Sequence, residues 1–307
     1  MTITETKAGE WPEAVKATPV RHPGRWAAMV AIAVLMAMGV HTVVTNSRFN
    51  WQLEGNYFFS SQIMHGVLVT LELTVASMAI GVGLGIALAV MRLSPNPVVS
   101  GSAWVYVWAF RGTPLLVQLL LWANLGALFP TVGLGIPFGH QFVVKQTFSL
   151  IPGVAAALLG LGLNEAAYMA EIVRAGILSV GEGQVEAASS LGMRRMAIMR
   201  RIVLPQAMRV ILPPTGNETI SMLKSTSLVA YVPYVELLFA TQNIYTRNYQ
   251  VMPMLIMASI WYLAITSVLM VGQFYVERHY SKGSSRSLPA TPVARLRSGL
   301  SRMRGAR

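Results

Sequence analysis

Glu72, Arg111, Glu165, Glu171, Arg174, Glu218 and Lys224 are set in stretches that are otherwise apolar. At the centre of a membrane helix one charge costs roughly 2.5–3.5 kcal/mol on insertion scales, so each of these groups must face protein, an opposite charge or water. The chemistry open to them is recognition and passage of a polar solute. Glu165 and Tyr168 share a helical face at i,i+3, and Glu171 and Arg174 repeat that spacing with opposite charges, which lets them pair. The pair reads as structural, near the inner end of its span; Glu165, with no partner at that spacing, points to an interior role. Glu72 is either a pathway group or a carboxylate satisfied by a neighbouring helix. Asn217, Ser221 and Lys224 fall on one side of the stretch that follows Pro213-Pro214 and Gly216, where the helix is expected to be interrupted. Lys224 needs a carboxylate or carbonyl partner, Thr226 and Ser227 offer hydroxyls to the backbone around it, and with Glu218 these residues suit a cavity wall.

No bond-making apparatus accompanies these groups. The chain has no cysteine, which excludes disulfides, thiolate metal sites and cysteine nucleophiles, and its five histidines are too scattered for a ligand cluster. It has no Gly-Lys dipeptide, hence no GxxxxGK[ST] phosphate loop, and no HExxH zinc pair. A further feature is backbone rather than side chain. In Arg111-Gly112-Thr113-Pro114 the proline cannot donate to the carbonyl of Phe110 and the glycine loosens the same turn, so a kink is expected. The freed carbonyl needs a partner from protein or from a water-filled cavity, which makes Arg111 and Thr113 candidates for a gate.

The elements that must hold these residues are membrane spans. Of 307 residues 54% are hydrophobic and only 12% charged, whereas about a quarter are charged in an average soluble domain. Apolar runs place spans near 26–44, 63–91, 102–128, 151–178, a broken one within 210–240, and 252–276. The net charge of +12 follows this pattern: with the N-terminus inside, inner segments hold 18 cations and outer loops three. That bias predicts both termini in the cytoplasm and argues against nucleic acid as the partner. Residues 1–25 read as a cytoplasmic leader, and the span after them as a retained anchor rather than a cleaved signal peptide. In 26–62 that anchor is followed by an outer loop with interfacial aromatics. The serine-, proline- and arginine-rich tail 280–307 reads as disordered and attracted to anionic lipid. Gly81-Val-Gly-Leu-Gly85 offers a small-xxx-small step for close helix packing. The outer loop 129–148, rich in glycine and proline, offers turns.

One segment, 184–207, is too charged to cross a bilayer. Glu186-Ala187-Ala188 favours a short helix, Gly192 supplies a turn, and Met193 to Val203 form a second helix that Leu204-Pro205 is expected to end. Met196, Met199 and Val203 make an apolar ridge flanked by Arg194, Arg195, Arg200 and Arg201, which suits a protein groove. Glu186-Ala187-Ala188, three residues, Gly192, nine residues and Ile202-x-Leu204-Pro205 resembles the signature loop of permease subunits in bacterial ABC importers. The stretches 164–174, 111–118 and 223–228 resemble the branch that imports polar amino acids. The resemblance covers roughly 66–277.

It implies an all-α polytopic membrane protein of about six transmembrane helices in the bacterial cytoplasmic (inner) membrane. The permease domain, 63–279, would be a type I-like core with one extra N-terminal span. Segment 184–207 would carry the coupling helices, with Glu186, Ala187, Ala188, Gly192, Leu204 and Pro205 facing a separate ATPase dimer that binds ATP and Mg. The chain itself would need no cofactor and no metal. An extracytoplasmic solute-binding protein, a second permease copy or a paralogue, and membrane lipid would be its other partners. Rival readings are a passive channel or scaffold, which has no use for the signature loop, a lipid-surface helix at 184–207, and a permease for opines or other amino-acid-like solutes.

Overall fold

The computed structural model describes residues 23–136 and 140–280. The expected leader and basic tail fall almost wholly outside them. The chain divides into two units at Phe49/Asn50. The first contains α1 (Pro23–Thr45), exposed throughout 24–45 and mostly apolar between Arg25 and His41, followed by a 3-10 turn at Ser47–Phe49.

The second unit runs through α2 (Trp51–Phe58), α3 (Ser61–Arg92), α4 (Pro97–Gly112), α5 (Leu115–Ala123) and α6 (Leu125–Leu128). A hairpin of β1 (Thr131–Gly135) and β2 (Gln141–Gln146) follows, antiparallel with Thr131 opposite Gln146, then α7 (Thr147–Leu150) and α8 (Gly153–Leu178). Beyond lie α9 (Glu182–Ser190), α10 (Arg195–Ile198), a π-helical turn (Met199–Val203) and α11 (Leu204–Ser225). A 3-10 stretch (Thr226–Tyr231), α12 (Leu237–Asn248) and α13 (Val251–Tyr280) complete it.

Helix starts follow local chemistry. The Ser60 hydroxyl accepts from the Ile63 amide at α3, and Asn96 Oδ1 accepts from Val98 N at 2.9 Å just before Pro97 opens α4. The spine is α3 against α8. Gly81 and Gly85 let the two backbones approach so closely that a Cβ at either position would overlap Glu165 or Met169, respectively, so the small-residue step works within the chain. Around this spine Val69, Leu73, Leu119, Leu161, Met222 and Val229 form one buried cluster. Ala89, Met169, Val173, Ala188, Ile198, Val203 and Ala207 form another beneath α9 and α10.

The structure departs from expectation in the spans. Among the described residues, helices α1, α3, α8 and α13 are long and apolar enough to cross a membrane, and α4 with α5, bent by 101°, is a broken span or a re-entrant loop that brings the number to five if it crosses. The expected sixth, α11, is not among them: Arg209, Asn217, Glu218 and Lys224 lower its hydropathy. The run 102–128 is therefore no merely kinked helix; it turns through more than a right angle at Thr113-Pro114. Nor do Pro213 and Pro214 interrupt α11, which runs through both. The prolines leave the Arg209 and Val210 carbonyls without their i+4 donors, and side chains brace the turns beyond: Thr215 Oγ1 donates to the Ile211 carbonyl at 2.8 Å and, from α13, Gln273 Nε2 donates to the Pro213 carbonyl at 3.3 Å. The break in the 210–240 region lies instead between Thr226 and Glu236. Leu204-Pro205 does not end a helix either, since the backbone passes through the π turn into α11.

Candidate functional site

The bend between α4 and α5 shows where an orphan carbonyl finds its donors. Gln118 Nε2 donates to the Phe110 carbonyl at 2.9 Å, to the Thr113 carbonyl at 3.1 Å and to Thr113 Oγ1 at 2.8 Å. Asn164, from α8, donates to the same Phe110 carbonyl at 3.0 Å and to Gln118 Oε1 at 3.2 Å. Two buried amides from different elements thus hold the bend by making good the bond that Pro114 removes. Beside it lies a cavity of about 310 Å³, lined by Ala109, Phe110, Thr113, Gln118, Leu121, Trp122 and Leu125.

One turn from Asn164, the charged groups gather. Arg111 sits 5.2 Å from the centre of the Tyr168 ring, a cation–π arrangement. Glu218 of α11 is the charged neighbour that bears on Glu165, and Arg111 is the one that bears on Glu218. Glu165 is only 4% exposed, packs against Gly81 and leaves its Oε1 without a hydrogen-bond partner. Native buried polar atoms are nearly always satisfied, and one that is not carries a cost that packing alone does not explain. Arg111, Glu165, Tyr168 and Glu218 therefore form one polar cluster between α4, α8 and α11.

The other expected pathway residues are not brought into it. Glu72 is exposed on α3, nine residues before Gly81 and so about 13 Å away along the helix. Asn217, Ser221 and Lys224 share the outer face of α11, all exposed. Asn217 accepts from Gln273 Nε2 at 2.9 Å. The two hydroxyls do satisfy the backbone, Thr226 Oγ1 donating to the Leu223 carbonyl at 2.6 Å and Ser227 Oγ to the Lys224 carbonyl at 2.7 Å. Glu171 and Arg174 pair at 2.7 Å, and Arg92 at the end of α3 joins them at 3.6 Å, so the pair ties α3 to α8.

Glu236 was missed by the sequence reading. It is fully buried and caps α12, accepting from Leu238 N at 2.9 Å, Phe239 N at 2.7 Å and the Tyr262 hydroxyl at 2.8 Å. Thr70 of α3 accepts from the next amide, Leu237 N, at 3.2 Å. An acidic residue directly ahead of an apolar run was the available signal.

The charged segment is built as two short helices about a turn. Gly192 has φ +74°, Gly192 N donates to the Ser189 carbonyl at 2.9 Å and Met193 N to the Ala188 carbonyl at 3.2 Å. This paired closure of a helix end requires a left-handed residue, which glycine supplies without a Cβ penalty. Ala188 is buried on the cluster below, while Glu186, Ala187 and Pro205 face outward and Leu204 is 40% exposed. The expected apolar ridge is split: Val203 and Met199 pack inward and Met196 alone stays exposed, at 76%, with Leu191 of the turn exposed beside it at 82%. Between α8, α9 and α10 lies a groove of about 560 Å³ with Val185, Ile198 and Met199 among its apolar walls and Glu182, Glu186 and Arg195 among its charged residues.

Comparison with known proteins places this geometry. Residues 81–282 match the family described as binding-protein-dependent transport system inner membrane component. An arginine transport system permease protein of Corynebacterium glutamicum is 50% identical over 287 residues, 93% of this chain and 89% of that protein. A nopaline transport system permease protein of Agrobacterium fabrum is 37% identical over 226 residues, 71% of this chain and 89% of its own. Among solved structures, an amino acid ABC transporter with histidines superposes with a TM-score of 0.61 at 34% identity, over 71% of this chain and 94% of that one.

Proposed function

The chain belongs to the family of binding-protein-dependent transport system inner membrane components, and from that premise we propose how it works as the permease subunit of an ATP-driven amino-acid importer. The observation that carries the mechanism is the pair α9 and α10, closed at Gly192 and presenting exposed Leu191 and Met196. Such a pair, unable to enter lipid and rooted on the buried cluster of Ala188, Ile198 and Val203, suits docking on a separate ATPase. Two ATPase subunits would bind ATP and Mg, and an extracytoplasmic solute-binding protein would deliver the solute. A second permease copy or a paralogue would cover the exposed polar face of α11. ATP-driven closure of the ATPase dimer would move the coupling pair and switch the cavity between inward and outward access, the two-state element that transport requires.

The solute is a polar amino acid, and the arginine permease relative favours one with a cationic side chain. Glu165 and Glu218 are the acidic groups suited to it, with Arg111, Thr113 and Tyr168 beside the bend. Glu72, Asn217, Ser221 and Lys224 would belong to the wall that forms when a second subunit is present, while Thr226, fully buried, and Ser227 hold the backbone behind it. The relatives named for nopaline and octopine transport keep opines within the range of solutes to be tested.

Orientation is part of this reading, with both termini and the coupling pair in the cytoplasm. The chain has no cysteine, so Ser190→Cys supplies a single exposed thiol at the coupling turn. A membrane-impermeant thiol reagent is expected to label it in inverted vesicles and not in intact cells. Labelling from outside intact cells would reverse the topology and remove the coupling assignment.

A further inference from the structure

Between the coupling pair and the pathway helix the backbone changes its winding. The π turn Met199–Val203 is separated by Leu204 alone from Pro205, whose missing N–H deprives the Arg201 carbonyl of an ordinary helical donor. The turn is wound i→i+5, with Leu204 N donating to the Met199 carbonyl, and single π turns inside α-helices are frequent at functional sites. Such a turn is softer than the helices on either side. Motion of α9 and α10 would be absorbed in it unless something spans it.

Gln206 spans it. Its Nε2 donates to the Ile202 carbonyl, inside the π turn, at 3.0 Å, and also to Gln184 Oε1 on the first turn of α9. Next to it Ala207 is fully buried, and with Ile211 it packs on α8 at Gly176, so the root of α11 is held firmly just beyond Gln206. We infer that Gln206 is a positioning residue for coupling: it clips α9 to the root of α11, so that displacement of the coupling pair reaches the helix bearing Glu218. This role rests on the importer reading above.

The test uses the complete importer in proteoliposomes and reads labelled arginine imported per ATP hydrolysed. Gln206→Ala and Gln184→Ala are each expected to lower that ratio about fivefold, what one hydrogen bond of ordinary strength supports. The double variant should be no lower than either single, because both remove the same contact. Gln206→Glu loses the donation to Ile202 but can still accept from the Gln184 amide once that amide turns, and is expected to fall between wild type and alanine. Wild-type ratios in both single variants, losses that multiply in the double variant, or a Gln206→Glu as poor as alanine would each overturn the clip. Those results, with a coupled wild type, leave the importer reading standing. A wild-type complex with no ATP-dependent uptake of arginine, of other labelled amino acids or of opines would remove the importer reading, and the clip with it.

Discussion

Gly192→Val is expected to abolish stimulation of ATP hydrolysis by the loaded solute-binding protein, while the permease still inserts in the membrane. The turn needs φ +74° at this position, and a Cβ there would meet nothing within 4 Å. The substitution therefore collides with no neighbour and acts through the backbone alone. A β-branched residue in the left-handed region is strained by about 1–2 kcal/mol, which one surface turn relieves by refolding. Refolding breaks the paired bonds to Ser189 and Ala188 and re-aims α10. The spans, whose backbone bonds are satisfied internally, are unaffected. Gly192→Asn should fall between wild type and valine, since asparagine tolerates the left-handed region. ATP hydrolysis with and without loaded binding protein, alongside co-purification of the ATPase, checks the series. Full stimulation and normal co-purification in Gly192→Val would show that 184–207 does not couple the two subunits.

The second large effect is expected at Glu165. Glu165→Gln keeps the shape that Gly81 accommodates and removes the group's capacity to ionise against a cationic solute. A charge-assisted contact to a cationic solute is worth about 1.5–3 kcal/mol, so uptake should fall roughly ten- to hundredfold. Stability should move the other way or not at all, because the carboxylate has an unpartnered oxygen in the folded chain. The pairing of lower uptake with an equal or higher melting temperature of the purified complex separates a pathway group from a structural one. A variant that loses stability and transports normally would return Glu165 to a packing role.

Much of this was legible in the sequence, and the misses share a cause. The signature spacing located the turn at Gly192 because its constraint is local: one position needs a positive φ, and glycine marks it. The bend at Pro114 was legible for the same reason, down to the carbonyl left without a donor. What the sequence could not tell was that Gln118 and Asn164 converge on that carbonyl, because Asn164 arrives from a helix some fifty residues away. Pro213 and Pro214 were misread in the opposite direction. A proline costs a helix interior about 3 kcal/mol, yet α11 is packed against α8 and braced from α13 by Gln273, so tertiary structure overrides the local signal. The ridge of Met196, Met199 and Val203 was drawn on an α-helical wheel, and the π turn rotates its later members toward the core. Glu72 and the Asn217–Ser221–Lys224 face stay exposed on a single chain, so their role depends on a neighbour that no single-chain periodicity identifies.

The most direct test of the central claim is solute accumulation by proteoliposomes containing this permease, its ATPase and the loaded binding protein. A labelled amino-acid mixture that includes arginine should concentrate inside only when ATP reaches the ATPase and binding protein is present at the outer face. Flux that merely equilibrates the solutes, at the same rate with or without ATP, would contradict the account and make the chain a passive pore.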